Sequence, residues 1–144
     1  YLSTTGVYGD SKGNWVNENT PPNPQQDRSI RRLSCEKQWL DTNLPIQILR
    51  LPGIYGPGRS AFESLLNGTT KMIDKPGQVF SRIHVDDIAG AVLFLINLYS
   101  QGKNPSVVNI ADNLPSNNLE VIAFAAKIAK KSFRRETKLA VFPF

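Results

Sequence analysis

The sequence predicts an α/β protein with a mostly parallel sheet, because short strand-like segments alternate with longer helical segments along its 144 residues. The strand-like segments are apolar or alternate apolar and polar side chains, whereas the helical segments repeat apolar residues every three or four positions. Glycine and proline concentrate in the loops between them. No internal repeat or low-complexity block divides the chain, so we expect a single, partial domain over residues 1–144.

The first third of the chain predicts a strand, a long loop and a helix. Residues 1–5 have the character of the end of a buried strand, and residues 10–26 are rich in Asn, Pro and Gly, which is typical of a surface loop. The helix is expected over residues 28–43, with Asp27 as its N-cap. Its core-facing stripe is predicted to consist of Ile30, Leu33 and Leu40, with Trp39 beside it.

The middle of the chain predicts several short elements. Residues 45–51 alternate like a strand, and residues 52–58 form a rigid loop with Pro and Gly. A short helix is expected over residues 60–66, with Gly68 as its C-cap. Residues 71–74 and 78–85 are candidate strands that are separated by a Lys-Pro-Gly turn.

The last third predicts two helices around one strand. Asp86 or Asp87 should cap a helix that runs to about residue 99, and its nearly encircling apolar residues predict burial on several sides. Residues 106–111 read as a strand. Residues 119–131 predict an amphipathic helix with these inward side chains: Val121, Ile122, Ala125, Ile128 and Ala129. We make no prediction for residues 132–144.

Composition excludes several classes of protein. Apolar residues make up 40% and charged residues 20% of the chain, and no apolar run reaches the roughly 18 residues of a membrane span. The net charge of +5 comes largely from two helices without interleaved aromatic residues, so we expect no nucleic-acid partner. RNA binding by the basic C-terminal residues is a weaker alternative. The single cysteine, Cys35, excludes an internal disulfide and favours a cytoplasmic location.

Three segments carry a specific resemblance: STTGVYG at residues 3–9, LRLPGIYGPGR at residues 49–59 and RIHVDD at residues 82–87. In this order they resemble the second half of the extended short-chain dehydrogenase/reductases, which include NAD-dependent epimerases and dehydratases. Within that group, the chain resembles the YeeZ-like branch. The resemblance implies the C-terminal half of a Rossmann-type doubly wound parallel sheet with a small substrate-binding subdomain. It also implies NAD or NADP as the cofactor.

The main phosphate site of that cofactor is expected upstream of this sequence. No G-x-G-x-x-G occurs in the 144 residues, and in the family this motif lies in the N-terminal half. The chain also begins on Tyr1 rather than Met, in what reads as a strand already in progress. We therefore expect it to be the C-terminal portion of a longer protein.

The resemblance also locates the catalytic positions. Thr4 matches the hydroxyl that binds the reacting oxygen of the substrate. The family's Tyr-x-x-x-Lys pair is missing, and with Glu36 as anchor the spacing puts Arg28 at the Tyr position and Arg32 at the Lys position. A guanidinium cannot shuttle protons near neutral pH, but it can bind a carboxylate or neutralise an oxyanion. We predict an electrostatic clamp, and a solvated basic helix face is the alternative.

Cofactor and substrate candidates follow from the same motifs. Ser3, beside Thr4, and the segment Pro52, Gly53 and Ile54 are assigned to the cofactor side, where Pro and Gly let the backbone approach a ligand closely. The substrate-binding candidates are Tyr8, Arg59 and Arg82. Arg59 suits an anionic substrate, and Arg82 would compensate for Phe80, which stands where relatives often carry Arg.

His84, the only histidine, is expected to be structural, and no set of residues has the spacing of a metal site. We therefore predict an NAD(P)-binding epimerase, dehydratase or reductase for a small polar substrate, with an anionic substrate as one option. The alternative is a non-catalytic NAD(P)-binding sensor or scaffold. The resemblance also makes a homodimer an option, because relatives often dimerise through the helix that holds residues 28–39.

Overall fold

The computed structural model describes residues 1–72, 75 and 77–136, in which short parallel strands alternate with helices. One sheet has three strands, which are β1 (Leu2–Thr4), β2 (Ile48–Leu51) and β5 (Val107–Asn109), and the other pairs β3 (Gly53–Tyr55) with β4 (Arg82–His84). The helices are a 3-10 helix (Thr5–Tyr8), α1 (Asp27–Leu40), α2 (Ala61–Leu66), α3 (Val85–Ser100) and α4 (Asn118–Glu136).

The three-stranded sheet is parallel in the order β1-β2-β5 and is covered on both faces. Alternate residues of a strand point to opposite faces. Leu49 and Leu51 of β2 pack in the apolar cluster with α3, whereas Arg50 between them contacts Glu36 of α1. Helices therefore lie on both sides of a parallel sheet, which confirms the expected α/β fold.

The apolar core lies between this sheet, β4 and α3. Its buried members are Leu49, Leu51, Ile83, Ile88 and Leu95. Half-buried side chains of β3, α3 and β5 and of the residue that follows β5 complete it, namely Ile54, Val92, Leu98, Val108 and Ile110. A second contact joins α2 to α4. The core thus fixes the carboxyl ends of the strands, where a site is expected.

Helix α1 differs from its prediction in its cap and in its buried face. Its N-cap is Gln26, without a side-chain hydrogen bond, and Asp27 is the first helical residue rather than the cap. The buried residues are Ser29 and Glu36, while Ile30 is 47% exposed and Leu40 is exposed as well. The predicted apolar stripe is therefore wrong for Ile30 and Leu40, while Leu33 is half-buried; the strand residue that faces α1 is the charged Arg50.

Helix α3 also differs from its prediction. His84, not Asp86 or Asp87, is the N-cap, since its Nδ1 accepts a hydrogen bond from the Asp86 backbone N–H at 3.2 Å. The predicted burial on several sides is wrong within the described residues, because Leu93 is 68% exposed and Phe94 is also exposed. Only the stripe that faces the sheet is covered.

The remaining differences concern element boundaries. The loop predicted over residues 52–58 contains β3, which pairs with β4 in parallel. Lys71 and Met72 are not in a strand, and residues 73 and 74 lie outside the described residues. In α4, Ile128 is exposed rather than inward, while Ile122, Ala125 and Ala129 are buried as predicted. Residues 137–144 lie outside the described residues.

No helix within residues 1–72, 75 and 77–136 combines the length and the apolar character needed to span a membrane.

Candidate functional site

The carboxyl ends of β1 and β2 bring two of the predicted motifs side by side. Thr4, the last residue of β1, is in register with Leu51, the last residue of β2. Pro52 and Gly53 follow Leu51 directly. Because ligands of open parallel sheets bind beyond these ends, Thr4 and the Pro-Gly segment border the same crevice.

The Thr4 hydroxyl has one hydrogen bond inside the protein. Thr4 is the N-cap of the 3-10 helix, and its Oγ1 accepts from the Gly6 backbone N–H at 3.1 Å. A hydroxyl is both donor and acceptor, so its O–H proton remains available for a ligand oxygen. Space beside it is tight, since a Cβ at Gly6 would lie 3.0 Å from Ser29 Oγ and the Ser29 side chain would have to shift.

A cavity of about 400 Å³ opens next to this edge. It unites four of the predicted residues: Gly53 and Ile54 from the cofactor set, and Arg59 and Arg82 from the substrate set. The other lining residues are Tyr55, Gly58, Ser60, Ala61, Glu63, Ser64, Asn67 and Thr69. Ser3, Thr4, Tyr8, Pro52 and the two helix arginines are not part of its lining.

The two arginines of the cavity differ in how firmly they are held. Arg82 is half-buried, and its Nη1 donates to the carbonyl oxygens of Phe80 and Ser116 at 3.1 and 3.2 Å. Arg59 is exposed at the start of the turn that leads into α2. Two cations on one cavity make it attractive for an anionic ligand.

Ser3 contacts helix α1 rather than the crevice. It is buried, and its hydroxyl donates to the Glu36 carboxylate. The same carboxylate accepts hydrogen bonds from Arg50 Nη2 at 2.7 Å and from Arg50 Nε at 3.2 Å. Burial by itself would lower the pKa of Arg50, but the hydrogen bonds that its guanidinium donates to Glu36, together with its interaction with the neighbouring Tyr8, raise it above its ordinary value. Arg50 therefore stays charged in the interior, and the role of Ser3 toward a cofactor stays a prediction.

Tyr8 belongs to the same buried network. It is 6% exposed, its hydroxyl donates to Asn109 Oδ1 at 2.9 Å, and the Arg50 guanidinium lies 4.9 Å from its ring centroid. The Asn109 backbone N–H donates in turn to Glu18 Oε1 at 2.7 Å, which ties the long loop to the end of β5. The predicted contact of Tyr8 with substrate stays a prediction.

The two predicted clamp residues both lie on exposed positions of α1. Arg28 is in its first turn. Arg32 donates from Nη1 to the Tyr1 hydroxyl at 2.9 Å, and its guanidinium lies 5.7 Å from the Tyr1 ring centroid. Tyr1 precedes β1, so Arg32 contacts the opposite end of the strand from Thr4.

Comparison with known proteins agrees with this architecture. The model of the NAD dependent epimerase/dehydratase family matches residues 1–111. The chain belongs to this family. Protein YeeZ of Escherichia coli K12 is 38% identical over 99 residues, which cover 67% of this chain and 34% of that protein.

Solved structures show the same relationship for this family member. A conserved protein of unknown function from Silicibacter pomeroyi is 46% identical with a TM-score of 0.81, over 90% of this chain and 45% of that one. The UDP-glucuronic acid 4-epimerase of Bacillus cereus, solved with NAD, is 26% identical with a TM-score of 0.69, again over 90% and 45%. The chain thus spans less than half the length of these relatives.

Sequence reasoning missed several polar residues of this family member. Glu63 lines the cavity, and Glu18 and Asn109 continue the network around Tyr8. The Ser60-x-x-Glu63 spacing, which is typical of a helix N-terminus, could have drawn attention to Glu63. Nothing local in the sequence signals the contact of Glu18 with Asn109. Among the described residues, no three His, Cys, Asp or Glu side chains are grouped as metal ligands.

Proposed function

We propose that the whole protein containing this chain binds NAD or NADP and acts on a small polar, anionic substrate as an epimerase, dehydratase or reductase. The observation that carries the proposal is the cavity, because Gly53 and Ile54 line it together with Arg59 and Arg82. Family membership supports the cofactor, as does the NAD-bound epimerase with a similar fold. The two arginines support an anionic substrate.

The residues after β2 fit a nicotinamide ring. Gly53 is exposed and carries no side chain, so a ligand can approach its backbone closely. Ile54 offers an apolar side chain at the same wall of the cavity. Bound NAD(P) would supply redox chemistry, while Pro52, Gly53 and Ile54 position it.

On this proposal the chain's own groups bind and polarise the substrate. Thr4 donates its free O–H to the reacting oxygen, and Arg59 and Arg82 hold the anionic group. Arg28 and Arg32 contribute positive charge that stabilises negative charge developing during the reaction, and Arg28 contributes more because Arg32 contacts Tyr1 at the other end of β1. Neither guanidinium takes up a proton, so proton transfer is left to the substrate's own groups or to water.

The test uses the whole protein, a panel of hydroxy acids and phosphorylated sugars, and both nicotinamide cofactors. Arg28→Ala and Arg32→Ala should each lower kcat, while Arg31→Ala on the same helix serves as the matched control. Arg59→Ala should raise KM for anionic members of the panel only. Unchanged turnover in Arg28→Ala and Arg32→Ala would contradict the clamp.

A second candidate function is a non-catalytic NAD(P) sensor or scaffold. It is favoured by the contact of Arg32 with Tyr1, which occupies one of the two residues that replace the usual catalytic pair. Tight binding of NAD(P) without hydride transfer to any panel member would support this function over the enzymatic one.

We also propose a cytoplasmic location and a homodimer. Cys35 is exposed and is the single cysteine of the chain, so no internal disulfide forms, which suits a reducing compartment. The exposed apolar side chains of α1, including Ile30, Trp39 and Leu40, offer a surface for a second copy. Sedimentation of the whole protein with and without Trp39→Glu tests the dimer, which the substitution should weaken.

A further inference from the structure

The carboxylate of Glu63 is held rigidly at the wall of the cavity. Glu63 Oε1 accepts from the Gly58 backbone N–H at 2.8 Å. Its own backbone N–H donates to Ser60 Oγ, the N-cap of α2, at 3.1 Å. These contacts fix both ends of the residue, so its second oxygen, Oε2, has a defined position.

Glu63 Oε2 is buried from solvent and has no hydrogen-bond partner in the part of the chain that the structure describes. Among those residues, no ion pair within 4.0 Å joins Glu63 to Arg59 or Arg82. A buried charged acceptor without a donor is costly and calls for a partner such as a ligand.

The neighbouring hydroxyls do not fill this need. Ser64 Oγ donates to the Ser60 carbonyl oxygen at 3.0 Å, and Thr69 Oγ1 donates to the Ser64 carbonyl oxygen at 3.3 Å. Their protons are therefore directed to the backbone rather than to Glu63. Among the described residues, the structure thus shows no donor to Glu63 Oε2.

We propose that Glu63 Oε2 accepts a hydrogen bond from a hydroxyl group of the substrate, whose anionic group is bound by Arg59 and Arg82. This inference rests on the proposed function and narrows its substrate class to an anion with a free hydroxyl. An ammonium donor is disfavoured, because two arginines and one glutamate leave the cavity net positive. Glu63 is thus a specificity-determining residue.

The experiment compares ligands that differ only in the donor. Isothermal titration of the whole, NAD(P)-loaded protein uses lactate against propionate, glycerol 3-phosphate against propyl phosphate, and alanine as the ammonium probe. The hydroxylated member of a pair should bind at least about tenfold more tightly, as expected for a hydrogen bond to a charged acceptor. The two pairs also separate a carboxylate substrate from a phosphate substrate.

Glu63→Gln keeps an acceptor for the Gly58 N–H but removes the charge, and the hydroxyl preference should fall to about one- to twofold. Affinity for the hydroxyl-free anions should stay the same or rise. The matched control is Glu120→Gln, since Glu120 also accepts a backbone N–H at the start of a helix but does not line the cavity. Its hydroxyl preference should equal that of the unaltered protein.

Four outcomes overturn the inference. Equal binding of both members of each pair refutes the role of Glu63, and so does a hydroxyl preference that survives in Glu63→Gln. In both cases the proposal of an anionic substrate still stands. Tighter binding of alanine than of lactate assigns Glu63 to an ammonium group instead. Failure of every anion to bind to the unaltered protein refutes the anionic substrate, and with it the proposed function itself. Circular dichroism of Glu63→Gln establishes that the variant is folded in each case.

Discussion

Replacing Glu36 alone should destabilise the protein strongly, because its carboxylate neutralises a buried guanidinium. Glu36 is 1% and Arg50 5% exposed, and Arg50 Nη2 lies 2.7 Å from Glu36 Oε2. Removing one partner of such a pair leaves an uncompensated charge, which costs about 3–5 kcal/mol. Free energies of unfolding of domains are about 5–15 kcal/mol. Glu36→Leu should therefore remove a large part of the stability.

Because Glu36 also accepts a hydrogen bond from Ser3, we expect the loss of stability in Glu36→Leu to lie at the upper end of the range of about 3–5 kcal/mol. The buried Ser3 hydroxyl also donates to Glu36 and would lose its acceptor. Replacing both partners by apolar residues of similar volume removes the charge together with its counter-charge, which is often neutral or stabilising. Glu36→Leu combined with Arg50→Met should thus cost clearly less than either single substitution.

Urea unfolding of the whole protein, followed by circular dichroism and tryptophan fluorescence, measures these free energies, and coincident transitions justify a two-state treatment. Asp86→Ala is the control for an exposed contact, since Asp86 is 3.6 Å from His84 and its side chain is 87% exposed, and it should cost under about 1 kcal/mol. A loss below about 1 kcal/mol for Glu36→Leu, or a double variant that loses the sum of both singles, would refute the reasoning.

Three further substitutions test local features by the same unfolding assay. Ser60→Ala removes the side-chain acceptor of the Glu63 N–H and should cost about 1 kcal/mol, whereas an unchanged midpoint would mean that the cap contributes nothing. Gly9→Ala should lower the free energy of unfolding more than Gly58→Ala does. Both glycines have positive φ, but only at Gly9 would a Cβ clash, at 2.1 Å from the Asn23 carbonyl oxygen. Equal losses of stability in the two variants would contradict this clash. Arg32→Ala should cost about 0.5–1 kcal/mol through its contact with Tyr1, and Arg31→Ala close to zero.

Strand and helix order could be predicted from the sequence because parallel strands and amphipathic helices leave periodic traces. The segments that became β1, β2 and β5 were all found, as was the short helix α2, but its C-cap is Asn67 rather than the predicted Gly68. The strand β3 was missed, since its three residues lie within a Pro-Gly segment that is typical of a loop. Strands this short are defined by their partner, which lies far along the chain.

The buried face of α1 could not be predicted from apolar periodicity, because that method assumes an apolar core opposite the helix. Here the strand opposite carries Arg50, and a buried cation requires an anion rather than a leucine. A signal was nevertheless present: Arg50 interrupts the apolar run Ile48–Leu51, which is buried throughout. A charged residue in such a strand predicts a buried counter-charge on the covering helix, and Glu36 is the carboxylate that meets it.

For the two clamp candidates as well, the sequence predicts the position on the helix but not the contacts of the side chain. Spacing of four residues puts Arg28 and Arg32 on one flank of α1, but it does not determine what each guanidinium contacts. Arg32 contacts Tyr1, three residues or about 10 Å before Thr4 along the strand direction. Arg28 lies one turn earlier, next to Ser29, whose hydroxyl borders Gly6 beyond the end of β1. Of the two arginines, Arg28 is therefore nearer the crevice, and its substitution should affect turnover more than that of Arg32.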